Sequence, residues 1–380
     1  DTGSFPPRPV LPRSLSFPVF QLVHLLALAG IGLAQEARPP LAQADVPLEH
    51  HVVRVYGREH GLPSEWIVDV CEEVDGYLWV ATRNGLTRFD GLRFETFVRD
   101  AEGGLPSNDV TALLSTSDGT LWVGTEAGVA VRERATPPGF RGFPDSRGLE
   151  VRALCEGPIG DGWVGARQGI WRARPDGTLE PVAGAPEDVQ AICCDQGGVL
   201  WVGTDYGLFA YRSGRFEREL GDGWYPVPAL LDGSDGLVVG TAWGLHRHGD
   251  ESGGVRLQGT PSQRVHDIAV GPDGTLFAAW TTHVGVRVDG DWVVHHAGGV
   301  VECIHPDREG SLWVGRMNQG GLRRYAPTWT GAVVTDRNTT CVIDDEDGRV
   351  WIGANEGLFR QVDGAWEPVD AITSRDEPSI

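Results

Sequence analysis

Lysine is absent from this 380-residue chain, so all 32 of its basic residues are arginine, and methionine occurs once. Against those arginines stand 53 Asp and Glu, a formal net charge of -21. The average field of such a surface repels a phosphate backbone and argues against nucleic acid as a partner. Long helical periodicity is missing after residue 50, as is any further apolar run of membrane-spanning length. There is no G-x-S-x-G, no nucleotide-binding loop and no kinase or cyclase signature, so no motif announces nucleophilic catalysis or phosphoryl transfer. No C-x-x-C pair occurs, and His50-His51, His246 with His248, and His295-His296 have no clustered partner at ligand spacing. Neither a metal nor a cofactor is expected.

What is present is turn chemistry: 53 Gly, 25 Pro and 14 Trp suit many short strands joined by tight turns. Residues 1–44 differ in kind. Arg8 and Arg13 precede the apolar stretch "FPVFQLVHLLALAGIGLA", followed by small-residue sites at "GLAQ" and "AQAD". This is the layout of a secretory signal peptide and leader, and it predicts an exported, periplasmic or otherwise extracytoplasmic protein, membrane-tethered if the segment stays uncleaved. The missing initial Met is read as trimming of a longer frame.

From residue 45 to 370 one phrase recurs: "DGYLWVATRNGL", "DGTLWVGTEAGV", "GGVLWVGTDYGL", "EGSLWVGRMNQGGL", "DGRVWIGANEGL". The column marked by its Trp holds Trp79, Trp122, Trp163, Trp201, Val238, Phe277, Trp313 and Trp351, at separations of 36 to 43 residues. That period is one propeller blade, and a phrase used eight times points to architecture rather than catalysis. Each copy parses into four strands, with Asp-Gly pairs (Asp75-Gly76, Asp118-Gly119, Asp273-Gly274, Asp347-Gly348) closing two-residue hairpins. A second turn column, Gly85, Gly128, Gly169, Gly207, Gly244, Gly285, Gly321 and Gly357, is expected to supply positive backbone angles. The Trp column is read as packing between blades.

The pattern in "GLPSEWIVDVCEEVDGYLWVATRNGLTRFDGLRF" resembles the two-component regulator propeller repeat, found in the extracytoplasmic sensor regions of bacterial histidine kinases, hybrid sensors and diguanylate cyclases. The resemblance covers about residues 50 to 370 and is weakest in the fifth and sixth copies. It implies an all-β propeller of seven or eight four-stranded blades, non-enzymatic, that senses an extracellular small molecule, a carbohydrate foremost, or a partner domain. It also implies a downstream signalling domain outside this chain; a homodimer is a further expected arrangement. "HVVRVY" resembles the outer strand "RFETFV", so the chain enters on an outer strand whose own blade is missing. Two accounts stay open: an eight-bladed ring with a spare strand, or a seven-bladed ring followed by the first blade of a second propeller. Residues 371–380 are then a tail or the start of a further blade.

Cys71, Cys155 and Cys193 lie eight residues before the marker column, and Cys303 and Cys341 ten before, where other copies carry small apolar residues. Packing is the favoured reading over disulfides, although Cys194, adjacent to Cys193, points to the opposite strand face.

Function is sought in the variable loops. The loop between second and third strands and the loop leading into each first strand share one rim, so both sets surround one channel mouth. The ligand-binding rim residues are Trp66, Arg83, Asn84, Glu126, Arg167, Gln168, Asp205, Tyr206, Trp224, Tyr225, Trp243, His283, Asn318, Gln319, Asn355 and Glu356; Asn108, Arg264 and His266 lie in the same lead-in loops. Interleaved aromatic, amide and charged groups suit a sugar or peptide. A secreted lyase or glycosidase would use Glu126, Asp205, His283 or Glu356, and a propeller scaffold for protein contacts is the remaining alternative.

Overall fold

In the computed structural model, the described residues are 52–99, 104–133, 139–174, 177–220, 226–234, 236–249, 254–317, 320–326, 339–344, 350–354, 357–362 and 365–369. The expected signal peptide (1–44) and tail (371–380) lie outside them. The first described strand is β1 (Val52–Tyr56). Blade 1 follows as β2 (Ile67–Glu72), β3 (Leu78–Thr82), β4 (Gly85–Phe89) and β5 (Phe94–Phe97). Blade 2 is β6 (Val110–Ser115), β7 (Leu121–Thr125), β8 (Gly128–Arg132) and β9 (Arg141–Gly142), and blade 3 is β10 (Val151–Glu156), β11 (Gly162–Ala166), β12 (Gly169–Ala173) and β13 (Leu179–Pro181). Blade 4 is β14 (Val189–Cys194), β15 (Leu200–Thr204), β16 (Gly207–Arg212) and β17 (Arg215–Leu220), and blade 5 is β18 (Ala229–Gly233), β19 (Gly236–Thr241), β20 (Gly244–Arg247) and β21 (Val255–Arg256). Blade 6 is β22 (Val265–Val270), β23 (Leu276–Trp280), β24 (His283–Val288) and β25 (Asp291–His296). The seventh repeat supplies three strands, β26 (Val301–Pro306), β27 (Leu312–Arg316) and β28 (Leu322–Ala326).

The fourth strand of blade 7 is β1: it pairs antiparallel with β28, from Val52 opposite Ala326 to Tyr56 opposite Leu322. Two sheet edges that would otherwise face solvent are thereby paired. Of the two accounts left open by the sequence, the structure takes the seven-bladed ring, not the eight-bladed one. The eighth repeat forms its own sheet of β29 (Thr339–Asp344), β30 (Val350–Ala354), β31 (Gly357–Val362) and β32 (Ala365–Val369), which contains no ring strand.

Apolar packing follows the same arithmetic. Seven buried clusters occupy the junctions between neighbouring blades, and one of them joins Ile67, Val70 and Val80 of blade 1 to Cys303, Trp313 and Leu322 of blade 7. The ring is closed by core as well as by backbone hydrogen bonds.

Blade 2 shows why the repeated phrase reads "LWVGT..G". Trp122 stacks on Phe143 at 5.3 Å and helps fill the junction with blade 3. A Cβ at Gly124 would stand 2.5 Å from Val151 Cγ1, so a larger residue would block the next blade's inner strand. The buried Thr125 hydroxyl donates to Gly128 O at 2.8 Å and accepts from Ala127 N at 3.2 Å, fixing the turn. Thr82, Thr204 and Thr241 repeat that clamp. Gly128 has φ 139°, and a side chain there would meet Ser146. Gly285 departs from this column: it lies inside β24 with no positive φ, and its bareness makes room for the ring of Trp280, 2.8 Å from where a Cβ would be. The Asp-Gly hairpins are also one residue longer than expected. Gly76 N donates to Glu73 O and Glu73 N to Tyr77 O, so a positive-φ glycine follows the turn instead of sitting inside a two-residue loop.

The exclusive use of arginine has a structural counterpart. Arg88, Arg172, Arg212 and Arg324 lie over the rings of Trp79, Trp163, Trp201 and Trp313 at 5.9, 5.2, 4.9 and 5.3 Å. A planar guanidinium covers an indole face while keeping donors free for carboxylates, which the compact lysine ammonium does less well. No helix among the described residues is long and apolar enough to cross a membrane.

Candidate functional site

The innermost strands carry a recurrent irregularity. In six blades the ladder to the second strand skips one residue, between Ile67 and Asp69, Val110 and Ala112, Val151 and Ala153, Val189 and Ala191, Val265 and Asp267, and Val301 and Cys303. A bulge breaks the strict alternation of side chains, so the skipped residue and its successor can both face the channel. The skipped residues are Val68, Thr111, Arg152, Gln190, His266 and Glu302; blade 5 has Pro228 ahead of a regular ladder. All seven line one cavity of about 280 Å³, together with Asp69, Asp267, Arg83, Arg264 and Cys303.

The floor of this cavity is acidic and anchored. Asp69 accepts from Val70 N (2.8 Å) and from Leu113 N (2.7 Å) of blade 2. Asp267 does the same with Ile268 N and with Ile304 N of blade 7, both at 2.8 Å. Each carboxyl thus ties its own inner strand to the next one. Burial pushes Asp69 up to about 6 despite those donors, and pushes Asp267 up to about 8, the charge of Asp69 adding to the effect.

Above the floor, His266 Nδ1 lies 3.7 Å from Glu302 Oε2, and its Nε2 lies 3.4 Å from Thr281 Oγ1. Burial, followed by the Arg264 charge, lowers His266 to about 4, so it is a neutral imidazole at pH 7. Burial raises Glu302 while Arg83 and Arg264 pull it down, and its Oε2 has no hydrogen-bond partner among the described residues. Acceptors, a neutral imidazole and three guanidiniums therefore converge at one mouth.

The rim loops meet as their topology requires: Glu126 N donates to Asp109 O, Asp205 N to Asp188 O, and Thr281 N to Arg264 O. Of the rim residues, Trp66, Arg83 and Glu126 assemble. Arg83 Nη1 reaches Asp109 (2.9 Å) and Glu126 (3.2 Å), and its guanidinium lies 5.0 Å over Trp66. Arg167 pairs with Glu150 and Asp188, and Gln168 donates to Gly148 O. Asn84 is exposed, while the Asp188 charge raises the phenol of exposed Tyr206, the neighbour of Asp205. Trp243 is 64 % exposed. His283 packs edge-on against His296 at 5.2 Å, on the outer pair of strands of blade 6. Trp224, Tyr225, Asn318, Gln319, Asn355 and Glu356 lie outside the described residues. Among the described residues of the rim set Arg83 alone lines the cavity, joined there by Arg264 and His266 of the lead-in loops. The bulge column, of which the lead-in expectation held His266 alone, lies eleven residues before the marker residue, where the types run Val, Thr, Arg, Gln, His and Glu, too varied for a buried strand position.

A closed ring of seven four-stranded blades around a charged channel defines a β-propeller. The two-component regulator propeller family model matches the chain at residues 61–84, 104–127 and 184–206. Its fold is similar to the extracellular domain of a hybrid two-component system from B. thetaiotaomicron, with a TM-score of 0.65 and 18% identity over 85% of this chain and 50% of that one. A second extracellular domain from that organism gives 0.60 at 18% identity, covering 85% and 48%. The chain thus spans about half the length of these domains. Streptogramin B lyase is similar with a TM-score of 0.61 at 16% identity, covering 73% of this chain and 98% of the lyase. No curated protein sequence matches the chain significantly.

Proposed function

We propose that this propeller is the exported, non-enzymatic sensing region of a bacterial signal-transduction receptor, binding an extracellular small molecule, foremost a carbohydrate, at the channel mouth. The carrying observation is the bulge column, which together with Pro228 of blade 5 brings one side chain from each of seven blades to one cavity. Forked donors from Arg152 and Arg264 suit hydroxyl and carboxylate oxygens, and Glu302 and Gln190 offer acceptors for sugar hydroxyls. A ligand touching several blades favours one arrangement of the ring over another, and that difference in binding free energy is what a linked output domain outside this chain would read. The two-component family repeats and the likeness to extracellular domains support this reading.

The test is thermal-shift screening of neutral and acidic oligosaccharides, followed by titration of Arg152→Ala and Arg264→Ala. Neither arginine has a close carboxylate partner among the described residues, the nearest contact being Arg152 to Glu150 at 3.8 Å, so the variants should fold. A hit should weaken about tenfold or more in each, the size of one charge-assisted hydrogen bond. Binding that both variants leave unchanged would place the site elsewhere. A propeller lyase is the second reading, favoured by the likeness to streptogramin B lyase. Turnover of any screened compound, lost in Glu126→Ala, Asp205→Ala or His283→Ala, would establish it.

A further inference from the structure

The thiols of Cys155 and Cys194 lie 3.3 Å apart, inside the van der Waals separation of two sulfurs, and they belong to different blades. Cys155 is on β10, the inner strand of blade 3, and Cys194 ends β14, the inner strand of blade 4. Both pack against the apolar cluster that fills this junction, with Trp163, Ile192 and Leu200. The adjacent Cys193 faces the other way, in range of the Asp232 carboxylate, and burial pushes its thiol up to about 12. Cys71 and Cys303 sit in the junctions of blade 1 with blades 2 and 7 and fill apolar space there, as the sequence led us to expect.

The geometry points to a disulfide between Cys155 and Cys194 that staples blade 3 to blade 4 when the chain folds in the presence of an external disulfide. Bringing the sulfurs to bonding distance needs a shift of about 1.2 Å, within reach of small χ1 rotations on two fixed strands. The exchange is balanced. One thiolate attacks a sulfur of the external disulfide, forms a mixed disulfide and releases one thiolate of the oxidant. The second cysteine thiolate then attacks the protein sulfur of that mixed disulfide and expels the other half. Two protein thiols are oxidised, the oxidant is reduced to two thiols, and these take up the two protons. The hydrogen bond with the Cys194 thiol, followed by burial, holds the Cys155 thiol well above its usual range in the folded ring. Exchange therefore belongs to the folding stage, before the junction closes. The bond would close a loop spanning a separation of 39 residues, across a junction that otherwise depends on apolar contact between two inner strands.

The experiment uses the full chain, reduced and unfolded in urea, then refolded in a mixture of oxidised and reduced glutathione. Remaining thiols are alkylated and the protein is digested without reductant. The expected result is a linked peptide joining Cys155 to Cys194 with Cys193 alkylated. It should survive in Cys193→Ser, disappear in Cys194→Ser, and come with a Tm roughly 5 °C above that of the reduced chain. Alkylation of both Cys155 and Cys194 in the refolded wild type would overturn the proposal, as would a link from Cys155 to Cys193. The wild-type map alone decides the matter if a variant fails to fold.

Discussion

Tyr56 sits at the point where the ring closes, and its truncation measures that closure. It ends β1, and its ring stacks on Trp313 of blade 7 at 5.7 Å while lying 5.4 Å from Phe89 and 5.5 Å from Phe94 of blade 1. One side chain therefore holds both sides of the last junction. A fully covered aromatic ring buries about 150–250 Å². Tyr56 is largely but not fully covered, so Tyr56→Ala, which keeps Cβ, removes roughly 100 Å² of contact, or about 2–3 kcal/mol at about 25 cal/mol per Å². Lost edge and stacking geometry adds about 1 kcal/mol, for a total of about 3 kcal/mol. Val55, its neighbour on the same strand, is 48 % exposed and provides the control. Val55→Ala should cost about 0.5 kcal/mol. Urea unfolding followed by tryptophan fluorescence reads both variants. Equal costs for the two substitutions would mean that β1 does not close the ring, and the seven-bladed assignment would fall with it.

Other outcomes follow from the turn clamps and the channel floor. Thr125→Val keeps the shape of the side chain but removes the hydroxyl that bonds Gly128 O and Ala127 N, and should cost about 1–2 kcal/mol in the same denaturation assay. Asp267, raised to about 8 by burial, stabilises the fold while protonated. That contribution is present in full below the ordinary carboxylate range and is lost as pH rises through about 8. The wild-type Tm should accordingly fall from pH 5 to 9 relative to that of Asp267→Asn, which does not titrate, and a constant difference across that range would refute the assignment. Asp69 adds a smaller loss of the same sign that is complete once pH has risen through about 6.

Much of this molecule is legible in the residues themselves. Strand order within a blade, the inter-blade role of the Trp column and the sharing of one rim by two sets of loops all follow from local rules: alternation, turn glycine and a period near forty residues. Each rule acts within one repeat, and the repeat states it several times over. The equivalence of "HVVRVY" and "RFETFV" even showed that the repeat array is entered on an outer strand.

Which sheet that strand joins was settled only by closure. "VVRVY" can pair with any free outer edge, but seven twisted blades bring β28 beside β1, and the aromatic group of Tyr56, Phe89, Phe94 and Trp313 fills the seam. The site depended on tertiary structure in the same way. A bulge is a relation between two strands, so Arg152 and Glu302 read along the sequence as ordinary strand positions, and His266 as a lead-in residue, until the ladder skips them. Their convergence, the raised carboxyls of Asp69 and Asp267, and the meeting of Cys155 with Cys194 are contacts between neighbouring blades. The sequence by itself determined the blade; the number of blades that close the ring, and the chemistry enclosed at its axis, were decided by twist and packing between them.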